Sequence, residues 1–169
     1  MRRNFGDKAM LPSIKRILFA GLCGGLAEML WIALYSYLAP ASGEEIARQI
    51  TASVFPAAAD LSLAPLFGIG IHLILSFALS VAFVWTVWIP VASRWDNPGI
   101  LVGAVSALTM VWAVNFLIVL PVLNPVFVTL LPYSVTLFSK MLFGAIMALV
   151  LQKADRREAD HRIAVTGNL

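Results

Sequence analysis

Over most of this chain the apolar positions neither alternate nor recur once per helical turn; they fill whole segments. Four such segments stand out, at residues 17–39, 66–89, 99–120 and 133–151. A bilayer crossing takes roughly 20 consecutive, mostly apolar residues as a helix, so each is long enough to span. Proline marks their edges: Pro40, Pro65, Pro90, Pro98, Pro121 and Pro132 each lie at or beside a segment end. A helix interior does not readily pass through proline. The pattern predicts an all-α membrane protein, a bundle of four transmembrane helices at 17–152 between a basic tail (1–16) and a charged tail (153–169).

The connections differ in character. In the longest, residues 40–65, Ser42 stands three residues before Glu45, a capping-box spacing. Ile46, Ile50 and Val54 then recur every four residues. This predicts a short amphipathic helix over 43–55, lying on the membrane surface or capping the bundle. The connection at 121–132 is apolar, with Val122, Leu123, Val126, Phe127, Leu130 and Leu131. It is expected to dip into the interface or pack on another protein.

Charge sets the expected direction. Arg2, Arg3, Lys8, Lys15, Arg16, Arg94, Lys153, Arg156, Arg157 and Arg162 fall on one side of the four segments, and Arg48 alone on the other. By the positive-inside rule both tails and the 90–98 loop are cytoplasmic. Tyr35 and Tyr37 then sit near the outer end of the first segment, and Trp85, Trp88 and Trp95 near the inner end of the second, as interfacial aromatics do. The net charge of +3 is distributed as a topology signal, not as a nucleic-acid patch. The basic start followed by an apolar run and Ala39-Pro40-Ala41 has the outline of a secretory signal, but the run is too long for one and contains Glu28, so no cleavage is expected.

Composition excludes several chemistries. Hydrophobic residues make up 60% of the chain and charged residues 12%, too few to coat a water-soluble globule. The single cysteine, Cys23, rules out an intrachain disulfide and cysteine-cluster metal sites. His72 has no second membrane histidine with which to complete a bis-histidine haem site, since His161 lies in the polar tail. No Ser-His-Asp arrangement, phosphate-cradling loop or paired carboxylate is legible, so neither catalysis nor a cofactor is expected.

Inside the membrane, helices associate through small residues. Gly21 and Gly25 have GxxxG spacing, as do Gly99 and Gly103, and Gly144 precedes Ala148 on one face of the fourth segment. Three ionisable residues lie within spans, Glu28, His72 and Lys140, each on the small-residue face of its helix. Exposure of such groups to lipid costs a few kcal/mol, so they should meet protein. With a rise of ~1.5 Å per residue, His72 and Lys140 lie roughly 10 Å below the outer ends and Glu28 roughly 16 Å. A lysine stem can bridge the difference. Glu28 and Lys140 are therefore expected to pair, with His72 as third member and Asn115 joining from the third helix. Such a centre reads as a polar lock on helix order, as a site for a proton, ion or small anion, or as a partner for a carboxylate or lipid phosphate outside the chain. Each half also holds a helix opening on GxxxG and a helix with one basic residue four positions before a small one (His72 with Ser76, Lys140 with Gly144), the outline of a duplicated hairpin.

These glycines, His72, the run Gly99-Ile-Leu-Val-Gly103 closing at Pro121, and Lys140-Met-Leu-Phe-Gly144-Ala resemble a group of small uncharacterised four-helix bacterial inner-membrane proteins, the YagU-like proteins. The resemblance covers most of residues 17–152. It implies a four-helix fold in a bacterial inner membrane and no established activity. Those proteins often carry histidine where this chain has Lys140, so no paired-histidine role is carried over. The function expected is a non-catalytic accessory subunit of a larger membrane complex. The alternative is a small transporter, channel or proton-coupled protein built on Glu28, His72 and Lys140. Expected partners are the bilayer, other membrane subunits and a bound lipid, with no nucleic acid.

Overall fold

A computed structural model describes residues 12–39, 41–91 and 96–166, with side chains of residue 91 and of 155–166 left aside. Pro40, Arg94, Trp95 and the basic residues of the first eleven positions lie outside the described residues, as do 167–169. The described chain is helical throughout its ordered elements. In order they are α1 (Ile14–Leu38), α2 (Gly43–Val54), α3 (Ala64–Phe83), α4 (Asn97–Val114), α5 (Pro125–Leu130) and α6 (Tyr133–Thr166). A π turn at Val84–Trp88 prolongs α3, and another at Asn115–Val119 carries α4 on to Leu123. Four helices are long and apolar enough to cross a membrane: Ile14–Leu38, Ala64–Trp88, Asn97–Leu123 and Tyr133–Ala154. The chain is a multi-pass membrane protein.

The two π turns explain where the proline reading falls short. Pro121 was expected to close the third helix. Proline lacks an N–H, and its ring presses on the carbonyl four residues back. Here the Leu120 N–H reaches back five residues to the Asn115 carbonyl, which widens the turn ahead of Pro121. The helix therefore continues. At Pro90 the Ile89 N–H bonds the Val84 carbonyl in the same register. The 121–132 connection is likewise mostly helical: Asn124 breaks the chain, and its side chain accepts from the Phe127 N–H to start α5. The charged tail continues α6 as helix to Thr166.

The helices pack in the order α3, α1, α6, α4. Among the four spans the α1–α6 contact is the most extensive, followed by α4–α6 and α1–α3. Each hairpin partner thus lies beside its mate, but α1 with α6 is not mirrored by α3 with α4, which meet chiefly where the Val84–Trp88 turn touches α4. An exact two-fold relation between the hairpins would make those contacts alike. The amphipathic helix expected at 43–55 is α2, capped by Ser42, whose hydroxyl accepts from the Glu45 N–H at 3.1 Å. It packs on α3, burying Ile46, Ala47 and Thr51. A Cβ on Gly68 would collide with the Ala47 carbonyl, so α2 and α3 cross almost backbone to backbone.

The ends of the bundle can be named by what they carry: the tail side, where α1 begins and α6 leaves, and the cap side, with α2 and α5. The apolar core occupies the tail-side half. Ile17 and Ala20, Phe83, Val84 and Trp88, Ile100, Ala104 and Leu108, and Phe143, Met147 and Leu151 fill it from all four spans.

Candidate functional site

The cap-side half is centred on charge. On α1, Glu28 shares the buried face of Gly21, Gly24 and Gly25 and is 6% exposed. A Cβ on Gly25 would stand 2.5 Å from Ser76 Oγ, and one on Gly21 would stand 2.6 Å from Ser80 Oγ, so these glycines let α3 close on α1. Gly24 serves α6 in the same way, against Phe143. The α3 serines turn their hydroxyls into their own helix, Ser76 to the His72 carbonyl at 2.8 Å and Ser80 to that of Phe77 at 2.9 Å. They are satisfied without crossing to α1, a habit of hydroxyls in helices.

From α6, Lys140 Nζ lies 2.8 Å from both Glu28 oxygens. The side chains of Lys140 and His72 are 13% and 14% exposed. Ser139 Oγ is 3.3 Å from Glu28 Oε1 and 2.7 Å from the Thr136 carbonyl. His72 Nε2 lies 3.9 Å from Glu28 Oε2 and 3.4 Å from the Gly25 carbonyl, within bonding distance of the latter. The ammonium also stands 5.7 Å above the centre of the Phe143 ring, a cation–π distance. Two full charges away from water require close pairing and further hydrogen bonds to be tolerated, and this arrangement supplies both.

Aromatic residues close the site toward the cap. Trp31 Nε1 donates to the Val135 carbonyl at 3.1 Å, and its ring lies 4.6 Å from that of Phe138. Trp112 Nε1 donates to Thr136 Oγ1 at 3.0 Å, with Phe116 and Tyr133 ranged about the indole. Phe143 closes the tail side, fully buried. The arrangement can hold one carboxylate and one ammonium as a neutral pair, with an imidazole at its edge. Among the described residues there is no group of His, Cys, Asp and Glu that would hold a metal ion.

Glu28, His72 and Lys140 are thus brought to one place. Asn115 is not: it opens the α4 π turn, and among the described residues no hydrogen bond joins its side chain to the other three. The third span reaches the site through Trp112 instead, whose indole N–H donates to Thr136 of the fourth span. Gly144 sits against the Ala104 carbonyl, where a Cβ would stand 2.9 Å away. The closest approach of α6 to α4 there is at Ala104 and Leu108, while Gly99 and Gly103 are half-buried. The Gly99 N–H donates to Asp96 Oδ1, the cap of α4. Ser139, Thr136, Trp31 and Trp112 were not expected here. The spacing of Thr136, Ser139 and Phe143 on one face of α6 was the available signal. A second polar joint, also unforeseen, ties the cap together: Asn124 Nδ2 lies 3.1 Å from the Gln49 carbonyl, 2.9 Å from Gln49 Oε1 and 3.1 Å from Ser53 Oγ.

No known family model, curated protein or solved structure matches the chain.

Proposed function

We propose that this chain is a non-catalytic accessory subunit of a larger membrane complex, seated in a bacterial inner membrane with both termini cytoplasmic. The observation that carries the reading is the internal neutralisation of its membrane charges: Lys140 meets both oxygens of Glu28, with its ammonium over the Phe143 ring. A chain that binds its charges to each other uses them to fix helix order. Two further features agree. Phe83, Val84, Trp88, Leu108, Phe143 and Met147 fill the tail-side half directly below the pair, where a conducting path would have to run. On the cap side, Val122, Leu123 and Val126 are 80%, 60% and 55% exposed at the turn into α5, an apolar surface suited to a neighbouring subunit. The direction in the membrane follows from ten basic residues against Arg48.

Extraction in a mild detergent followed by native mass measurement tests this. The expected result is recovery with larger membrane subunits in fixed ratio. A self-contained oligomer overturns it.

One observation favours a second reading, a small proton-coupled transporter. His72 stands 3.9 Å from Glu28, near enough for an imidazole to exchange protons with the carboxylate through a small rotation. Under that reading Glu28→Gln abolishes solute uptake while assembly persists. Under the subunit reading the same change weakens assembly.

A further inference from the structure

Two of the three groups around Glu28 have backbone partners of their own, and the third, Lys140, is paired with Glu28 itself. Ser139, Lys140 and Phe143 belong to one face of α6. Ser139 is anchored by the Thr136 carbonyl at 2.7 Å, and the Lys140 ammonium rests over Phe143. His72 comes from α3 and sits 3.4 Å from the Gly25 carbonyl, a backbone group that any substitution at position 28 leaves in place. Glu28 is the one contributor from an α1 side chain. The Lys140 ammonium meets both oxygens of its carboxylate at 2.8 Å, the Ser139 hydroxyl at 3.3 Å has its single hydrogen shared with the nearer Thr136 carbonyl, and the imidazole stands by at 3.9 Å. We infer that Lys140, flanked by Ser139 and His72, forms a binding site for a small monocarboxylate, which the chain's own Glu28 occupies in this structure.

The inference rests on the pairing used for the proposed function, and on no partner. It has a direct chemical test, because the atoms that Glu28→Ala removes, one methylene carbon and the carboxylate, are those of acetate. The truncated side chain leaves a space of acetate's size and shape beside an unpaired buried ammonium. A ligand that binds only the folded form raises its stability in proportion to the logarithm of its excess over Kd.

The experiment follows the apparent melting midpoint of the full chain in detergent, in sodium acetate and in sodium chloride at equal ionic strength. It compares wild type, Glu28→Ala, and Glu28→Ala combined with Lys140→Met, with acetamide as the uncharged control. At acetate about tenfold above Kd, Glu28→Ala is expected to gain about 4 °C over chloride. Wild type, whose site is filled, and the double variant, which lacks the ammonium, are expected to gain nothing. Equal shifts in all three proteins, an equal effect of acetamide, or no shift in Glu28→Ala overturns the inference. Should Glu28→Ala not fold in chloride, recovery of folded protein is compared between the two salts during expression and extraction. Recovery in acetate alone supports the site, and failure in both overturns it. Loss of co-purification with larger subunits would contradict the accessory role and leave acetate rescue intact. Absence of rescue would leave co-purification intact.

Discussion

The two halves of the bundle are held together by different physics. On the tail side, Phe83, Val84, Trp88, Ile100, Leu108, Phe143, Met147 and Leu151 meet as an apolar core. On the cap side, the buried residues include Glu28, Ser139, Thr136, Thr51 and Asn124, joined to neighbouring helices by hydrogen bonds. In a bilayer, apolar side chains gain little by leaving lipid for one another, so the tail-side core contributes shape and close contact. Polar groups have no good alternative in hydrocarbon. They therefore decide which helix lies beside which. In this molecule the extensive α1–α6 contact is the one that carries the ion pair. The tail-side half makes the bundle compact, with a polar tie from Gln152 Nε2 to the Asn97 carbonyl at 2.8 Å, and the cap-side half carries most of the polar ties between helices.

Single substitutions in each half test that contrast. The largest effect is expected from Lys140→Met, which leaves Glu28 buried and unpaired. Removing one member of a buried pair destabilises by about 3–5 kcal/mol, read as a lowered midpoint in a denaturing-detergent titration. Next comes Gly68→Ala, where the new methyl must displace the Ala47 carbonyl. Overpacking of this kind costs about 1–3 kcal/mol, and Gly70→Ala, with open space at its Cβ, is the matched control expected to change little. Asn124→Ala removes both the α5 cap and the joint to Gln49 and Ser53. A lost cap costs about 0.5–2 kcal/mol, and the checking measurement is faster proteolysis in the segment between α2 and α3. Smallest is Met147→Leu in the tail-side core, fully buried yet volume-conserving, for which a loss under about 1.5 kcal/mol is expected in the same titration. If Met147→Leu proves as damaging as Lys140→Met, the two halves do not differ as described.

The four spans were readable because an unbroken apolar run has one stable form in lipid, a helix. The convergence of Glu28, His72 and Lys140 was readable for the same reason: an ionisable group in such a run has to face protein. Helix ends were less legible. Pro121 carries the usual stop signal, and only the π turn starting at Asn115 lets α4 pass it. That turn depends on backbone hydrogen bonding, which leaves no mark on residue type. Ser139 and Thr136 were hidden because a hydroxyl in a span ordinarily bonds its own helix, as Ser76 and Ser80 do here. Whether a serine also faces a charge depends on helix rotation, which a mean apolar run does not encode. Asn124 was passed over inside an apolar stretch, although an asparagine immediately before proline is a recognisable helix-start signal.

The most direct test of the account is a double-mutant cycle on Glu28→Gln and Lys140→Met, with unfolding free energies measured in one detergent system. If the pair specifies the α1–α6 contact, each single change is strongly destabilising and the double variant recovers much of the loss, with a coupling energy of about 2 kcal/mol or more. Losses that simply add, with the double variant the least stable of the four proteins, would contradict the account.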